Sequence, residues 1–199
     1  MDKCDGDSVM KTVKTLVAAL VLMGAGGALA DEYVDSEDQT LRFREAVFYA
    51  QTASSNGVDV GIDRLSEDEQ VRIFGKVISG YVPYNVAVTN NSGVRVYIDD
   101  IQLLDRATQS STAPDDLNAV LLKVSSFRGG NRDHLRMSIL RTNLISKSLQ
   151  SVIVAPGDTV QGIVFAEEAQ LGEGGGNLQL RLQSLERVAF VEIEVPFSR

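Results

Sequence analysis

Residues 80–105 read GYVPYNVAVTNNSGVRVYIDDIQLLD, and the fold is built outward from them. Val82, Tyr84, Val86 and Val88 alternate with Pro83, Asn85, Ala87 and Thr89. Successive strand side chains point to opposite faces, so this period of two predicts a strand with one buried face. Asn90-Asn91-Ser92-Gly93 follows. Asn and Gly tolerate the positive φ of tight hairpin turns, which predicts a hairpin. In the second arm Val94, Val96 and Ile98 share a face, and after Asp99-Asp100 the apolar phase shifts to Ile101 and Leu103. One extra residue at that point, a β-bulge, keeps both halves facing the core. The acidic pair alone supplies too few oxygens for Ca²⁺, which takes about six to eight, so it reads as a solvated turn.

The chain has 199 residues. Its first 30 have the form of a signal peptide: Lys11 and Lys14, an apolar run from Leu16 to Met23, then Ala28-Leu29-Ala30 before Asp31-Glu32. The acidic start before Met10 suits a signal poorly, which leaves Met1 and Met10 both open as the start of translation. Cys4, the only cysteine, precedes the apolar run, so it does not stand where a lipoprotein carries its lipid. The part after residue 30 has no cysteine and fits a bacterial export route, ending in the periplasm or outside the cell, with a fold held by its core alone. It carries the whole formal charge of −8, which disfavours nucleic acid, and it has no second apolar run able to span a bilayer.

Residues 31–40 are acidic and read as a flexible tether; residues 41–199 read as one domain. Leu41 to Thr52 mixes strand and helix signals, with Phe43, Val47 and Phe48 calling for burial. Val58, Val60 and Ile62 predict a strand. Ser66 with Glu69 forms a capping box ahead of a two-turn helix that Gly75 ends. Residues 112–150 form a helix-prone insertion: Leu117, Val120, Leu121 and Val124 share a helical face, Arg128-Gly129-Gly130-Asn131 breaks the pattern, and Leu135 to Leu149 leans to helix. Val152–Val154 and Thr159–Phe165 predict strands around a Pro156-Gly157-Asp158 turn. Leu178, Leu180 and Leu182, then Val191, Ile193 and Val195, predict a closing hairpin.

The run VAVTNNS, the strand VYIDDIQLLD, the segment APGDTVQGIVF and the alternating C-terminal pair, in that order, resemble the telokin-like, immunoglobulin-like β-sandwich domains of exported bacterial proteins. The resemblance covers Gly80–Asp105 and Val152–Val195 and omits the insertion. It implies a mainly β, immunoglobulin-like sandwich serving as an accessory or binding module, and it lends no catalytic residue.

The chemical inventory is thin. His134 is the one histidine, and it reads as a surface residue in a polar turn. A Cys-His mechanism is excluded, the usual zinc ligands are missing, and no G-x-S-x-G elbow exists. The sequence predicts no catalysis, no cofactor and no metal. Acidic pairs such as Asp115-Asp116 and Glu167-Glu168 keep a glycan-directed module or hydrolase as an alternative, which the absence of tryptophan weakens; a purely structural spacer is another. The glycine-rich 172–176 lacks the Lys and Ser/Thr of a phosphate loop. Asn90-Asn91-Ser92 fits the glycosylation acceptor pattern, but the turn explains it better. Lys123, Arg128, Arg132, Arg136, Arg141 and Lys147 stand against one acid, Asp133, within 25 positions. Such segregation orients partners. Arg128, Arg132 and Arg136 flank the Gly129-Gly130 break and are the predicted contact with a protein or other envelope component.

Overall fold

The computed structural model describes residues 38–106, 108, 111–114, 117–124, 131–171, 174–185 and 190–198. The segment predicted as a signal peptide, most of the predicted tether and Arg128 lie outside these residues. A single 3-10 turn (Ala46–Phe48) precedes β1 (Gln51–Ser55) and β2 (Val58–Arg64). Then come α1 (Glu67–Phe74), β3 (Tyr81–Asn90), β4 (Val96–Asp105) and β5 (Ser111–Thr112). α2 (Leu117–Val124), α3 (Asn131–Lys147), β6 (Ile153–Val154) and β7 (Thr159–Glu167) follow. β8 (Gly176–Ser184) and β9 (Phe190–Phe197) close the chain.

The protein is mainly β, with two antiparallel sheets. One has the order β1-β2-β3-β7; the other runs β5-β4-β8-β9, with β6 also on β4. Their inner faces share one apolar cluster, sandwich-like, in which Val86 and Ile62 from the first sheet meet Ile98, Leu180 and Val195 from the second.

The expected hairpin is a crossover. β3 pairs with β2 and β7, and β4 pairs with β8, so the two arms lie in different sheets. No positive φ is needed between them, and Gly93 has none. The chain instead turns on Asn90, which is fully buried. Its Nδ2 donates to the carbonyls of Val94 (2.8 Å) and Val154 (2.9 Å). Its Oδ1 accepts from the N–H of Ser92 (3.0 Å) and from Oγ of Ser92 (2.5 Å). Its own N–H donates to Asp158, and its carbonyl accepts from Gly157. The true tight hairpin joins β1 to β2 at Asn56-Gly57, both at positive φ, the pairing that a two-residue turn favours.

The bulge stands where the phase shift placed it: the β4–β8 register slips between Ile98 and Asp100. Ile98 therefore faces Leu182 while Ile101 faces Leu180 and Leu103 faces Leu178. The capping box of α1 is complete, and Gly75 ends the helix at φ 80°. The expected helices, β2 and the β8–β9 hairpin are also present.

One burial expectation needs correction. Every residue of β3 is buried, not alternate ones. The face carrying Pro83, Asn85, Ala87 and Thr89 lies under α1–α3 and under residues 38–50. Phe74, Ile73, Val120, Leu140 and Leu144 from the helices pack with Tyr81, Ile163 and Phe165 of this sheet. A strand in the middle of a sheet covered on both sides has no wet face.

Asn90→Asp keeps the acceptor and replaces the donor with a second oxygen facing two carbonyls. We expect a loss of about 1–3 kcal/mol for each carbonyl left unpaired, read as a lowered denaturant midpoint with an unchanged slope. A midpoint within error of the parent would remove Asn90 from its structural role.

Candidate functional site

Residues 38–50 form a strap across the outer face of the β1-β2-β3-β7 sheet. It is fastened by side chains from other elements, in place of a strand ladder. Arg72 Nη1 of α1 donates to the carbonyls of Thr40 (2.6 Å) and Asp38 (3.3 Å), and it lies 3.5 Å from the Asp38 carboxylate. Asn143 Nδ2 of α3 donates to the side chain of Gln39 (2.7 Å) and to the carbonyl of Ile73 (3.1 Å). Gln161 of β7 donates to the carbonyl of Arg42 (2.9 Å) and accepts from the N–H of Arg44 (3.3 Å), as a neighbouring peptide would. Thr89 Oγ1 accepts from the N–H of Ala46 (2.9 Å), and Asp63 Oδ1 from the N–H of Ala50 (2.7 Å). The end of the predicted tether, Asp38–Thr40, is thus held. Thr40 also hydrogen-bonds the Asp38 carboxylate and holds it below its ordinary range, with help from Arg72 and Arg42.

The strap crosses where the sheet offers small side chains. Ala87 lies between Gly61 and Gln161 in register. A Cβ at Gly61 would stand 2.4 Å from the Ala46 carbonyl oxygen and 2.8 Å from the Tyr49 ring. Ala46, Tyr49 and Ala87 form a small buried cluster there.

Between strap, sheet and α1 opens a cleft of about 570 Å³, lined by Leu41, Arg42, Phe43, Arg44, Arg64, Glu69, Arg72 and Asn85 among others. Its size falls in the range of small-molecule sites. Asp63 and Asn85, neighbours in register, contribute to its wall. Arg44 pairs with Asp63 at 2.7 Å and lies 4.4 Å over the Tyr49 ring, a cation–π contact. Both Asp63 oxygens are therefore occupied. Glu69 is committed to the capping box. Arg42 and Arg64 are exposed, and among the described residues their side chains make no hydrogen bond or ion pair. Asn85, only 3% exposed, accepts from Gln161 at 3.1 Å. The Tyr49 hydroxyl is buried and makes no hydrogen bond of good geometry; the Asn85 side chain is in weak polar contact with it. Burial pushes its phenol up to about 12, with the Asp63 carboxylate adding to the rise and the Arg44 guanidinium and Asn85 side chain opposing it.

Phe43, Val47 and Phe48 were expected to be buried; they are 68%, 52% and 68% exposed. Gln161 holds the backbone on both sides of Phe43, and the tight approach at Gly61 turns Ala46 and Tyr49 inward instead.

The predicted contact residues lie elsewhere. Arg132 is in the first turn of α3, and Arg136, half-buried and with a partner, is one turn on. Lys147 ends the same helix near Arg72; burial first, then Arg72, lowers its pKa. Fifteen residues of helix separate Arg132 from Lys147, about 22 Å. Lys123 of the basic window pairs with Glu167 and lies over the Tyr81 ring, and Arg141 is exposed. His134 is exposed on α3, not in a turn. Asp100 accepts from Gln102 at 2.7 Å, and among the described residues no three His, Cys, Asp or Glu side chains gather as a metal site. No described helix is long and apolar enough to cross a membrane.

The arginines of the cleft come from four places, residues 42, 44, 64 and 72, with no motif spacing to mark them. The available signal was the alternation Leu41-Arg42-Phe43-Arg44, which puts two cations within a short apolar stretch.

No protein-family model matches the chain, and no curated protein matches it. Similar solved structures include the yjhA protein of Bacillus subtilis, at 13% identity and a TM-score of 0.39 over 66% of this chain and 78% of that one. A structural-genomics target aligns at 9% identity and a TM-score of 0.34, over 70% and 82%. A Bordetella pertussis protein with the provisional assignment ApaA aligns at 15% and 0.32, over 71% and 86%.

Gly61→Ala should lower stability by about 1–3 kcal/mol, the range for overpacking, and open the strap to limited proteolysis between residues 42 and 50. Gly93→Ala, where a Cβ meets nothing within 4 Å, is the control and should melt like the parent.

Tyr49 gives a pH test. Its folded-state pKa lies above the ordinary value of 10, so above pH 10 the unfolded chain loses this proton first and stability falls as pH rises toward 12. Tyr49→Phe should melt at or above the parent temperature at pH 8 and lose less between pH 9 and 11. An identical alkaline loss in both proteins would contradict the burial of the hydroxyl.

Proposed function

We propose that the chain is an exported, non-catalytic binding module of the bacterial envelope, of telokin-like, immunoglobulin-like type, and that it binds an anionic group of its partner in the arginine-lined cleft. The observation that carries this reading is the convergence of Arg42, Arg44, Arg64 and Arg72 on one cleft in a chain of net charge −8. Asp63 neutralises Arg44, and Asp38 neutralises Arg72. Arg42 and Arg64 stand beside them without a direct ion pair, Arg42 acting on Asp38 only at longer range. Guanidinium groups present forked donors that match carboxylate and phosphate oxygens. Export is supported by Lys11, Lys14, the apolar run and Ala28-Leu29-Ala30, and a lipid-free product by the position of Cys4.

The test compares the parent with Arg42→Gln/Arg64→Gln and with Arg128→Gln/Arg132→Gln/Arg136→Gln. Each is measured for capture of envelope fractions at low and high salt, with melting on the same sample. The cleft pair should lose most salt-sensitive capture at unchanged melting temperature, since neither side chain supports the fold. Loss in the triple variant alone would move the contact to the start of α3. Mass spectrometry of the exported protein should find it beginning at Asp31 without lipid; retention of residues 1–30 would defeat the export reading.

A further inference from the structure

The cleft has an apolar side as well as a cationic one. Leu41 and Phe43 line it from the strap; Leu65 and Ile73 lie buried beneath them, 3% and 0% exposed, and form its floor. Leu41 packs on the cluster that holds Leu65 and Ile73, so this wall continues the core beneath it. Phe43 is different. It stands 68% exposed although the backbone on both sides of it is tied to Gln161. A single exposed aromatic is ordinary. Here, however, Phe43, Val47 and Phe48 are exposed within six residues of one strap, and the strap is held by bonds from five side chains. A ligand that is only an anion would make no use of Phe43. A ligand that is only apolar would leave Arg42 and Arg64 without partners.

We propose that the ligand is an amphiphilic anion: a carboxylate or phosphate head held at Arg42 and Arg64, with a hydrocarbon tail lying over Leu41 and Phe43. This rests on the anion-binding reading above and narrows it. Arg42 and Phe43 both line the cleft, so head and tail sites adjoin there. A cleft of about 570 Å³ accommodates one such molecule. The arginines supply orientation, and the apolar wall supplies affinity that added salt does not weaken.

Isothermal titration of the full-length mature protein separates the two levels of this reading. The probes are octyl phosphate, octanoate, inorganic phosphate and octyl glucoside. Octyl phosphate and octanoate should bind at least about tenfold more tightly than inorganic phosphate, a tenfold step being about 1.4 kcal/mol. Phe43→Ser should remove most of that advantage and leave inorganic phosphate binding unchanged. Arg42→Gln/Arg64→Gln should weaken all three anions. Melting curves establish that each variant is folded. If inorganic phosphate binds as tightly as octyl phosphate, the tail site is wrong and the anion site stands. If octyl glucoside binds as tightly as octyl phosphate, the charged head is wrong. If no anion binds, both the amphiphile and the anion-site reading fall.

Discussion

The amide of Asn90 sits where the chain leaves one sheet for the other, and water does not reach it. A buried amide needs its donors and acceptor satisfied, and the penalty for leaving one unmade exceeds the gain from making it. Here three segments meet on one side chain: the start of β4 through Ser92 and Val94, the end of β6 through Val154, and the Gly157-Asp158 turn through its backbone. That constraint sets the distance between the sheets at one end and the point where β7 begins. Asn90 also carries the acceptor pattern for glycosylation, yet a fully buried side chain cannot accept a glycan in the folded protein.

The same economy of side chains holds the strap. Ladders of backbone bonds make a strand position largely indifferent to which residues flank it. A strap tied by Arg72, Asn143, Gln161, Thr89 and Asp63 depends on each of them. It leaves Arg42 and Phe43 of the strap to line the cleft. Arg42 and Phe43 reach the same opening because Gln161 fixes the peptide groups around Phe43.

Much of the architecture was legible in the sequence. The period of two in Val58-Val60-Ile62 and Leu178-Leu180-Leu182, the capping box at Ser66 and the phase shift at Asp99 each have a local cause, and each stands in the structure. Pairing partners have no local cause. Alternation says that β3 and β4 are strands; it does not say that β3's neighbour β7 lies some 70 residues on, or that the link crosses between sheets. The polar phase of β3 looked wet because its cover comes from elsewhere: the helices and the strap. The cleft was illegible for the same reason, since its arginines are gathered by tertiary contacts. The Asn56-Gly57 turn was readable and is the hairpin signal that the NNSG segment only imitates.

The strap's anchors come later in the chain than the strap itself. Asp63, Arg72 and Thr89 follow it closely, but Asn143 and Gln161 lie more than 100 residues beyond their partners. A chain that crosses a membrane from its N-terminus delivers the strap first and its last fastener near the end. Contacts of such sequence separation close late, after their loop entropy has been overcome. The cleft therefore does not exist on a partly delivered chain. On the proposed reading, in which the chain is exported and the cleft binds an anion, capture would be confined to chains whose length through β7 has arrived and folded.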